Sequence, residues 1–455
     1  MKDKKLSRRE FLRIGAIGAS SVVLAQCATE TATPEATPIP PPPEPVSFRY
    51  WMWFIPTNET VYNELITKFK DVEPDITVEA EYIPDADYYP KLNASIAAGD
   101  VGEVFCVYAQ MWSNYYNKNA LAPVDLASWG YSSAQGLVDD KYMPGVMDFA
   151  VKDGGFYAGG MPEFGTWAEA INLDSFDAAG EPYPDKETVM TWTEFYELAK
   201  RTTLRGDDGV MTQMGDGSWI GNMDNPFGAS IILYPMFHQL GGDPFDEITG
   251  MPTNKDIWLE IANTMWDCAV KNPDAEYGYL DPGFPSGTNA HPELFNGRIA
   301  NMQAGFWAVG WGLSVNPDLK IDFYPLPAVD EDHNATINHG WVYVLSSEGS
   351  DAQKVAGSKW LSFINELESA KAIFDGIGVT GPLKAQEHLD YMISQSPQYA
   401  IFVQENTRAK TQVWGELGTE RWEIMRKMAE NVFKIGTGPE DAVEAAWAEM
   451  EALGA

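Results

Sequence analysis

Val46-Ser47-Phe48-Arg49-Tyr50-Trp51-Met52-Trp53-Phe54 is an aromatic, apolar run that stops before Pro56. Behind an Asn/Thr cap, Val61, Leu65 and Phe69 then recur at helical spacing between Asn58 and Asp71, so the chain predicts a strand followed by a helix. Ile76 to Tyr82 reads as a second strand, Lys91 to Ala98 as a helix closed by Gly99, and Val104-Phe105-Cys106-Val107-Tyr108 as a buried third strand. The unit is βαβαβ, which calls for an α/β fold with helices on both faces of a mostly parallel sheet. In open sheets of this kind ligands bind beyond the carboxyl ends of the strands, a rule that nominates Trp53, Phe54, Tyr108 and Gln110.

Working outward, the alternation continues. Thr191-Trp192-Thr193-Glu194 is a capping box, and Phe195, Leu198 and Ala199 form the inward stripe of the helix it opens. Asn254 to Lys271 predicts a helix with Ile257, Ile261, Met265 and Cys268 on one face, which makes Cys268 a core residue rather than a reactive thiol. A short helix between Pro292 and Gly297 precedes apolar runs at 299–306, 321–324 and 341–345. Ser350 with Gln353 caps a further helix, and an amphipathic segment follows Gly438-Pro439. No internal repeat is present.

The N-terminus is an address. Six cations, among them Arg8-Arg9 in Ser7-Arg8-Arg9-Glu10-Phe11-Leu12-Arg13, precede the apolar stretch Ile14 to Ala25, the pattern of a twin-arginine export signal over residues 1–26. Leu24-Ala25-Gln26-Cys27 is similar to a lipoprotein box, with Gln26 where that motif prefers Gly or Ala, and nominates Cys27 as a lipid anchor on the outer face of the cell membrane. Cleavage after Ala25 would instead leave a free periplasmic or extracellular protein. Residues 27–45, ending in Pro40-Pro41-Pro42-Pro43-Glu44-Pro45, form a semi-rigid tether.

Composition narrows the function. With 31 Lys+Arg against 66 Asp+Glu the chain carries a formal charge of −35, which excludes the basic footprint that nucleic acid or an anionic membrane surface requires. Phosphate-cradling, dinucleotide and nucleophile-elbow motifs are absent, so neither a cofactor nor a catalytic residue is expected. The five histidines never fall at i, i+4 and the acidic loops lack EF-hand alternation, so no metal is expected either. Sixteen tryptophans remain to be explained, several of them beside Gly, Pro or Asn or at strand ends. Such rings pack on the apolar faces of a sugar while Asp, Glu, Asn and Gln take its hydroxyls, although any one of them can equally be core. The segments 105–112 and 303–311 contain no Lys or Arg, which favours a neutral or cationic ligand over a phosphate or carboxylate.

From Val46 to Ala455 the order of motifs resembles the family 1 extracellular solute-binding proteins of ABC importers, the maltose- and oligosaccharide-binding group. The resemblance rests on Phe69 through Val78, on Ala97-Ala98-Gly99-Asp100-Val101-Gly102-Glu103-Val104, and on Asn119 through Asp125. It continues through Trp192-Thr193-Glu194-Phe195 with Ala199-Lys200, Gly241 through Phe245, and Phe295 through Trp307. Gly102-Glu103 replaces the usual Pro-Asp, Asn119 replaces Gly, and Asn301 stands between the usual Ala and Met. The resemblance implies a two-lobed periplasmic-binding-protein-like clamp with three interlobe crossings, placed near Glu163, Pro325 to Val329 and Gly381. Lobe I would comprise 46–162 plus 329–380, and lobe II 163–328 plus 381–455. It also implies that Trp307 and Trp341 line the cleft, with Trp414 a looser transfer, while Glu163 and Asn225 would add polar contacts. The expected function is capture of a neutral sugar or oligosaccharide by a monomer and delivery to an ABC permease, without enzymatic activity. A peptide, polyamine or other cationic solute is one alternative ligand, and a secreted glycoside hydrolase or lyase is a second class. With these lobes Cys106 falls in the first and Cys268 in the second, so no bridge between them is expected.

Overall fold

A computed structural model describes residues 44–54, 56–160, 163–219, 226–246, 251–269, 290–330, 332–379, 381–412, 414–415 and 417–454. The leader, nearly all of the tether, Cys27 and Asn225 lie outside the described residues, as do the side chains of Glu163 and Cys268.

β1 (Val46–Phe54) lies between β2 (Ile76–Pro84) and β3 (Val104–Tyr108), parallel to both, as the opening stretch predicts. The helix Asp85–Ala98 starts well before Lys91 and carries Pro90 inside it, closing at Gly99 in the left-handed conformation. Pro90 forfeits one backbone hydrogen bond. Against that loss, Tyr88 and Leu92 are fully buried, and the Tyr88 hydroxyl donates to the Cys106 carbonyl at 2.7 Å. The unusual Gly102-Glu103 has its own reason. A Cβ on Gly102 would stand 2.7 Å from Cδ1 of Trp51, and Glu103 accepts the Arg49 backbone N–H at 2.6 Å while pairing with its guanidinium at 3.0 Å.

The later strands are β4 (Leu121–Ala122), β5 (Val151–Lys152), β6 (Gly155–Phe156), β7 (Glu163–Asn172), β8 (Leu204–Arg205) and β9 (Met211–Asp216). They are followed by β10 (Ile299–Gly305), β11 (Ile321–Tyr324), β12 (Thr336–Ser346) and β13 (Ala409–Thr411). All except the β5–β6 hairpin join one sheet in the order β2-β1-β3-β12-β7-β10-β9-β8, with β4 and β13 on β12 and β11 on β7. β1 is parallel to β2 and β3, β9 to β10 and β13 to β12, the edge pair β8–β9 is antiparallel, and the long central strands β12 and β7 run antiparallel to each other and to β3 and β10.

β7 changes partner along its length. Gly165 and Thr166 pair with His339 and Asn338 of β12, whereas Trp167 onwards pairs with Gly305 to Asn301 of β10. The β12 side of the sheet is backed by the helix Asp351–Ile364, which packs on β1, while the helix Leu367–Ile377 lies on Pro56–Val72. Beyond β9, the helices Pro226–Gln239, Lys255–Ala269, Gly418–Glu430 and Pro439–Gly454 bury Trp258 and Trp422 in a separate core. The capping boxes at Thr191 and Ser350 form as the sequence predicts. Cys106 is fully buried and in no disulfide. No described helix is long and apolar enough to cross a membrane.

Where β7 changes partner, Gly165 lets the Phe306 ring lie directly on the strand: a Cβ there would stand 1.9 Å from Phe306 Cδ1. Phe306 is itself buried, at 3% exposure. Gly165→Ala is therefore expected to lower stability to urea by about 1 to 3 kcal/mol, as overpacked cores do. Adding Phe306→Ala should recover part of the loss in a double-mutant cycle, and strictly additive losses would refute the contact.

Candidate ligand-binding site

Side chains two residues apart share a sheet face, and residues in register share it across strands. By that rule Tyr108 of β3, Trp341 and His339 of β12 and Trp167 of β7 lie on one face, because Trp341 pairs with Tyr108 and His339 with Gly165. The rings meet accordingly. Trp341 stacks on Trp53 at 5.1 Å between centroids, on Tyr108 at 4.1 Å and on Tyr89 at 6.0 Å. Tyr108 has Phe227, from the helix Pro226–Gln239, on it at 5.1 Å. His339 touches Tyr108, Phe227 and Trp167, and Trp167 meets Trp307 edge-on at 5.9 Å. Trp307 then continues to His291 and Trp311. The result is an unbroken aromatic band running from β1 across the partner change in β7 to the end of β10.

Exposure sorts its members. Trp341 is only 4% exposed, with rings on both faces, so it supports its neighbours rather than offering a surface. Trp53, Tyr108, Phe227 and Trp307 are half-buried, and Trp311 is exposed. These five carry the accessible ring faces and edges. Gly305 makes the Trp307 position possible, since a Cβ there would stand 2.6 Å from the indole Nε1.

Polar atoms along the band lack partners. Both amide atoms of the fully buried Gln110, both ring nitrogens of His339, and the indole N–H groups of Trp53 and Trp167 have none. Each such group costs about 1 to 3 kcal/mol unless something binds to it. Burial pushes the His339 imidazole down to about 3, so it stays neutral and offers one donor and one acceptor. Gln110 is fixed from behind, its carbonyl accepting the Trp414 backbone N–H at 2.7 Å.

Of the residues nominated by sequence, the structure brings Trp53, Tyr108 and Trp341 into one stack and joins Trp307 to it through Trp167 and His339. Gln110 follows Tyr108 in the chain. Among the described residues Phe54 is half-buried and stacks on no ring. Glu163 pairs through its backbone with Trp341. Trp414 belongs to the helical core, where its ring meets Trp422 at 6.2 Å, and its backbone N–H ties it to Gln110 of the band. Tyr89, Phe227 and His339 escape sequence reasoning: Tyr89 sits beside a proline, Phe227 follows Asn225-Pro226, and His339 shows its face only through its pairing with Gly165. No trio of His, Cys, Asp or Glu suited to a metal occurs among the described residues.

The family model for bacterial extracellular solute-binding proteins matches residues 56–372. No curated protein sequence matches the chain. Among solved structures it is similar to the cyclic alpha-maltosyl-1,6-maltose binding protein from Arthrobacter globiformis, with TM-score 0.73, 17% identity, and coverage of 90% of this chain and 99% of that one. The maltose/maltodextrin-binding domain from Bdellovibrio bacteriovorus bound to maltotriose gives TM-score 0.69 and 16% identity, over 90% and 99% of the two chains. UgpB from Mycobacterium tuberculosis in complex with glycerophosphocholine gives 0.71 and 15%, over 89% and 98%. At these identities the likeness is one of fold, the two-lobed fold that the motif order implies. The matched span takes in the members of the aromatic band other than Trp53, and the chain belongs to the bacterial extracellular solute-binding proteins.

Proposed function

We propose that this protein captures a neutral saccharide against the aromatic band and delivers it, unaltered, to the permease of an ABC importer. The observation that carries the reading is the band itself, half-buried rings interleaved with the unpartnered Gln110 amide and His339 imidazole. Aromatic faces take the C–H surface of a pyranose, while a neutral group that both donates and accepts suits a hydroxyl, which does the same. Trp53 and Trp307 are the stacking platforms, Trp341 their support, and Gln110 and His339 the hydrogen-bonding groups. Fold relatives seen with maltotriose and named for cyclic maltosyl-maltose support the same ligand class. Lobes made of 46–162 plus 329–380 and of 163–328 plus 381–455 would close on the sugar by hinge motion. The export signal and Cys27 would hold a monomer on the outer face of the membrane. Nothing in this reading makes or breaks a covalent bond.

Thermal unfolding against a panel of neutral mono- and oligosaccharides tests it. A ligand at a thousandfold excess over Kd adds about 4 kcal/mol to stability, so at least one sugar should raise the midpoint by several degrees and be recovered intact. Trp307→Ala and Trp53→Ala should each weaken that sugar at least tenfold. A panel that leaves the midpoint unmoved, or a sugar recovered cleaved, sinks the proposal.

A neutral His339 also fixes a pH dependence. Its folded pKa is depressed to about 3, so the unfolded chain takes the proton first and stability falls as pH drops from about 6.5 towards 3. This one group should cost about 3 kcal/mol by pH 4. Urea unfolding of the wild type and His339→Gln at pH 7.5, 5.5 and 4 should show that increment in the wild type alone, and parallel curves would refute the burial argument.

A further inference from the structure

One register step beyond Trp167 and Gly305, on the same sheet face, Glu169 of β7 stands opposite Gln303 of β10. Glu169 is 1% exposed, and neither of its carboxylate oxygens has a hydrogen-bond partner. Two residues along β10 on that face, Asn301 is in register with Asp216 of β9. Asn301 is likewise 1% exposed with both amide atoms unpartnered. Asp216 accepts the Ser218 N–H through Oδ1 at 2.8 Å, and its Oδ2 has no partner. Above this face lie Leu198, which packs with Ile171 and Tyr324, and Ile231, which packs with Trp167.

No Lys or Arg among the described residues pairs with either acid. The charged group that acts on Glu169 is Asp216, and burial together with that negative neighbour holds the Glu169 carboxyl well above its ordinary range. Burial lifts Asp216 to about 6. Two acids sealed together without a cation, beside an amide with an idle oxygen, oppose the general rule that buried charges are paired. The place is also the right one for a ligand. β9 and β10 run parallel, and both end towards Trp307, where open sheets bind their ligands.

The geometry points to a cation-accepting subsite formed by Glu169, Asp216 and Asn301 directly beneath the Trp167–Trp307 corner of the band. One positive charge there would satisfy both carboxylates and the Asn301 carbonyl oxygen together. Two sources share this chemistry: a protonated amino group on the captured saccharide, or an inorganic cation. The first rests on the saccharide reading above and narrows it to amino sugars. The second does not depend on it.

Thermal unfolding of the full chain and of Glu169→Gln and Asp216→Asn at pH 7.5 separates the possibilities. The probes are a glucosamine tetramer, its N-acetylated form, maltotetraose, CaCl2, and NaCl against choline chloride at equal ionic strength. A midpoint raised by the free-amine tetramer and not by the acetylated one, with affinity at least tenfold weaker in both variants, supports the subsite with the sugar as source. A rise with Ca2+ or Na+ that both variants lose supports it with an inorganic source, even if no saccharide binds and the functional reading fails. Folded variants that answer every probe as the wild type does overturn it, and the two acids are then no more than buried carboxyls. If the variants do not fold, calorimetric titration of the wild type decides: saturable binding of Ca2+, Na+ or the free-amine tetramer supports the subsite. Neutral saccharides that bind while no cation does overturn the subsite and leave the transport reading standing.

Discussion

The two sides of the sheet are joined through β7, whose hydrogen-bond partner changes at the peptide between Thr166 and Trp167. Because strand side chains alternate with a period of two, a strand common to both sides forces one face to continue across the join. Tyr108, Trp341 and His339 from one side and Trp167 and Glu169 from the other are aligned by that rule alone, without any loop to position them. The join itself is pinned. The Thr166 hydroxyl donates to the Phe402 carbonyl at 3.1 Å, and the Trp167 carbonyl accepts the Thr336 hydroxyl at 3.1 Å. A hinge at this point would have to break those bonds and lift Phe306 off Gly165, so any swing between the two sides would be resisted by identifiable contacts rather than by general stiffness.

Along the face so aligned, apolar and polar terms oppose each other. The stacked pairs around Trp341 and Tyr108 are each worth about 0.5 to 1.5 kcal/mol beyond their buried area. The unpartnered groups of Gln110, His339, Trp53 and Trp167 together cost at least as much, at about 1 to 3 kcal/mol each. A core selected for stability alone would replace those groups with aliphatic side chains. Their presence beside accessible rings accords with the proposed function, in which a ligand would supply those hydrogen bonds and turn the cost of burying them into affinity. Phe227 belongs to the same balance, since it stacks on Tyr108 and, on the proposed reading, would have to yield that ring face to a sugar.

The opening βαβαβ unit was legible because each element carries its own local signal: aromatic runs, helical spacing and a closing glycine between Val46 and Tyr108. The capping boxes at Thr191 and Ser350 were legible for the same reason. β7 was not. Its sequence, Glu163-Phe164-Gly165-Thr166-Trp167-Ala168-Glu169-Ala170-Ile171-Asn172, mixes acids and glycine into what is a central strand, and nothing nearby shows that it lies between β12 and β10. Trp53, Tyr108, Trp307 and Trp341 could be nominated one by one from strand ends and motif order, but their meeting depends on pairings such as Trp341 with Tyr108, far apart in the chain. His339 and Glu169 give no local signal at all, since a histidine and a glutamate become unusual only once burial removes their water.

That last distinction governs how the acidity of the chain should be read. A charge of −35 is spread over 66 acids, most of them solvated, where screening over about 8 Å at physiological salt makes any one of them nearly irrelevant to the site. Among the described residues, buried carboxylates are few: Glu169, Asp216 and Glu405. Glu405 has a cation beside it, Arg408, whose Nε donates to it at 2.9 Å, although burial still lifts its carboxyl to about 7. Glu169 and Asp216 have no such cation, and they occur where β7, β9 and β10 converge beneath the aromatic band. Composition argues against nucleic acid and anionic surfaces as partners, but it is position that makes two of the acids chemically significant. A charge is informative in proportion to the water it has lost, and these two have lost nearly all of theirs.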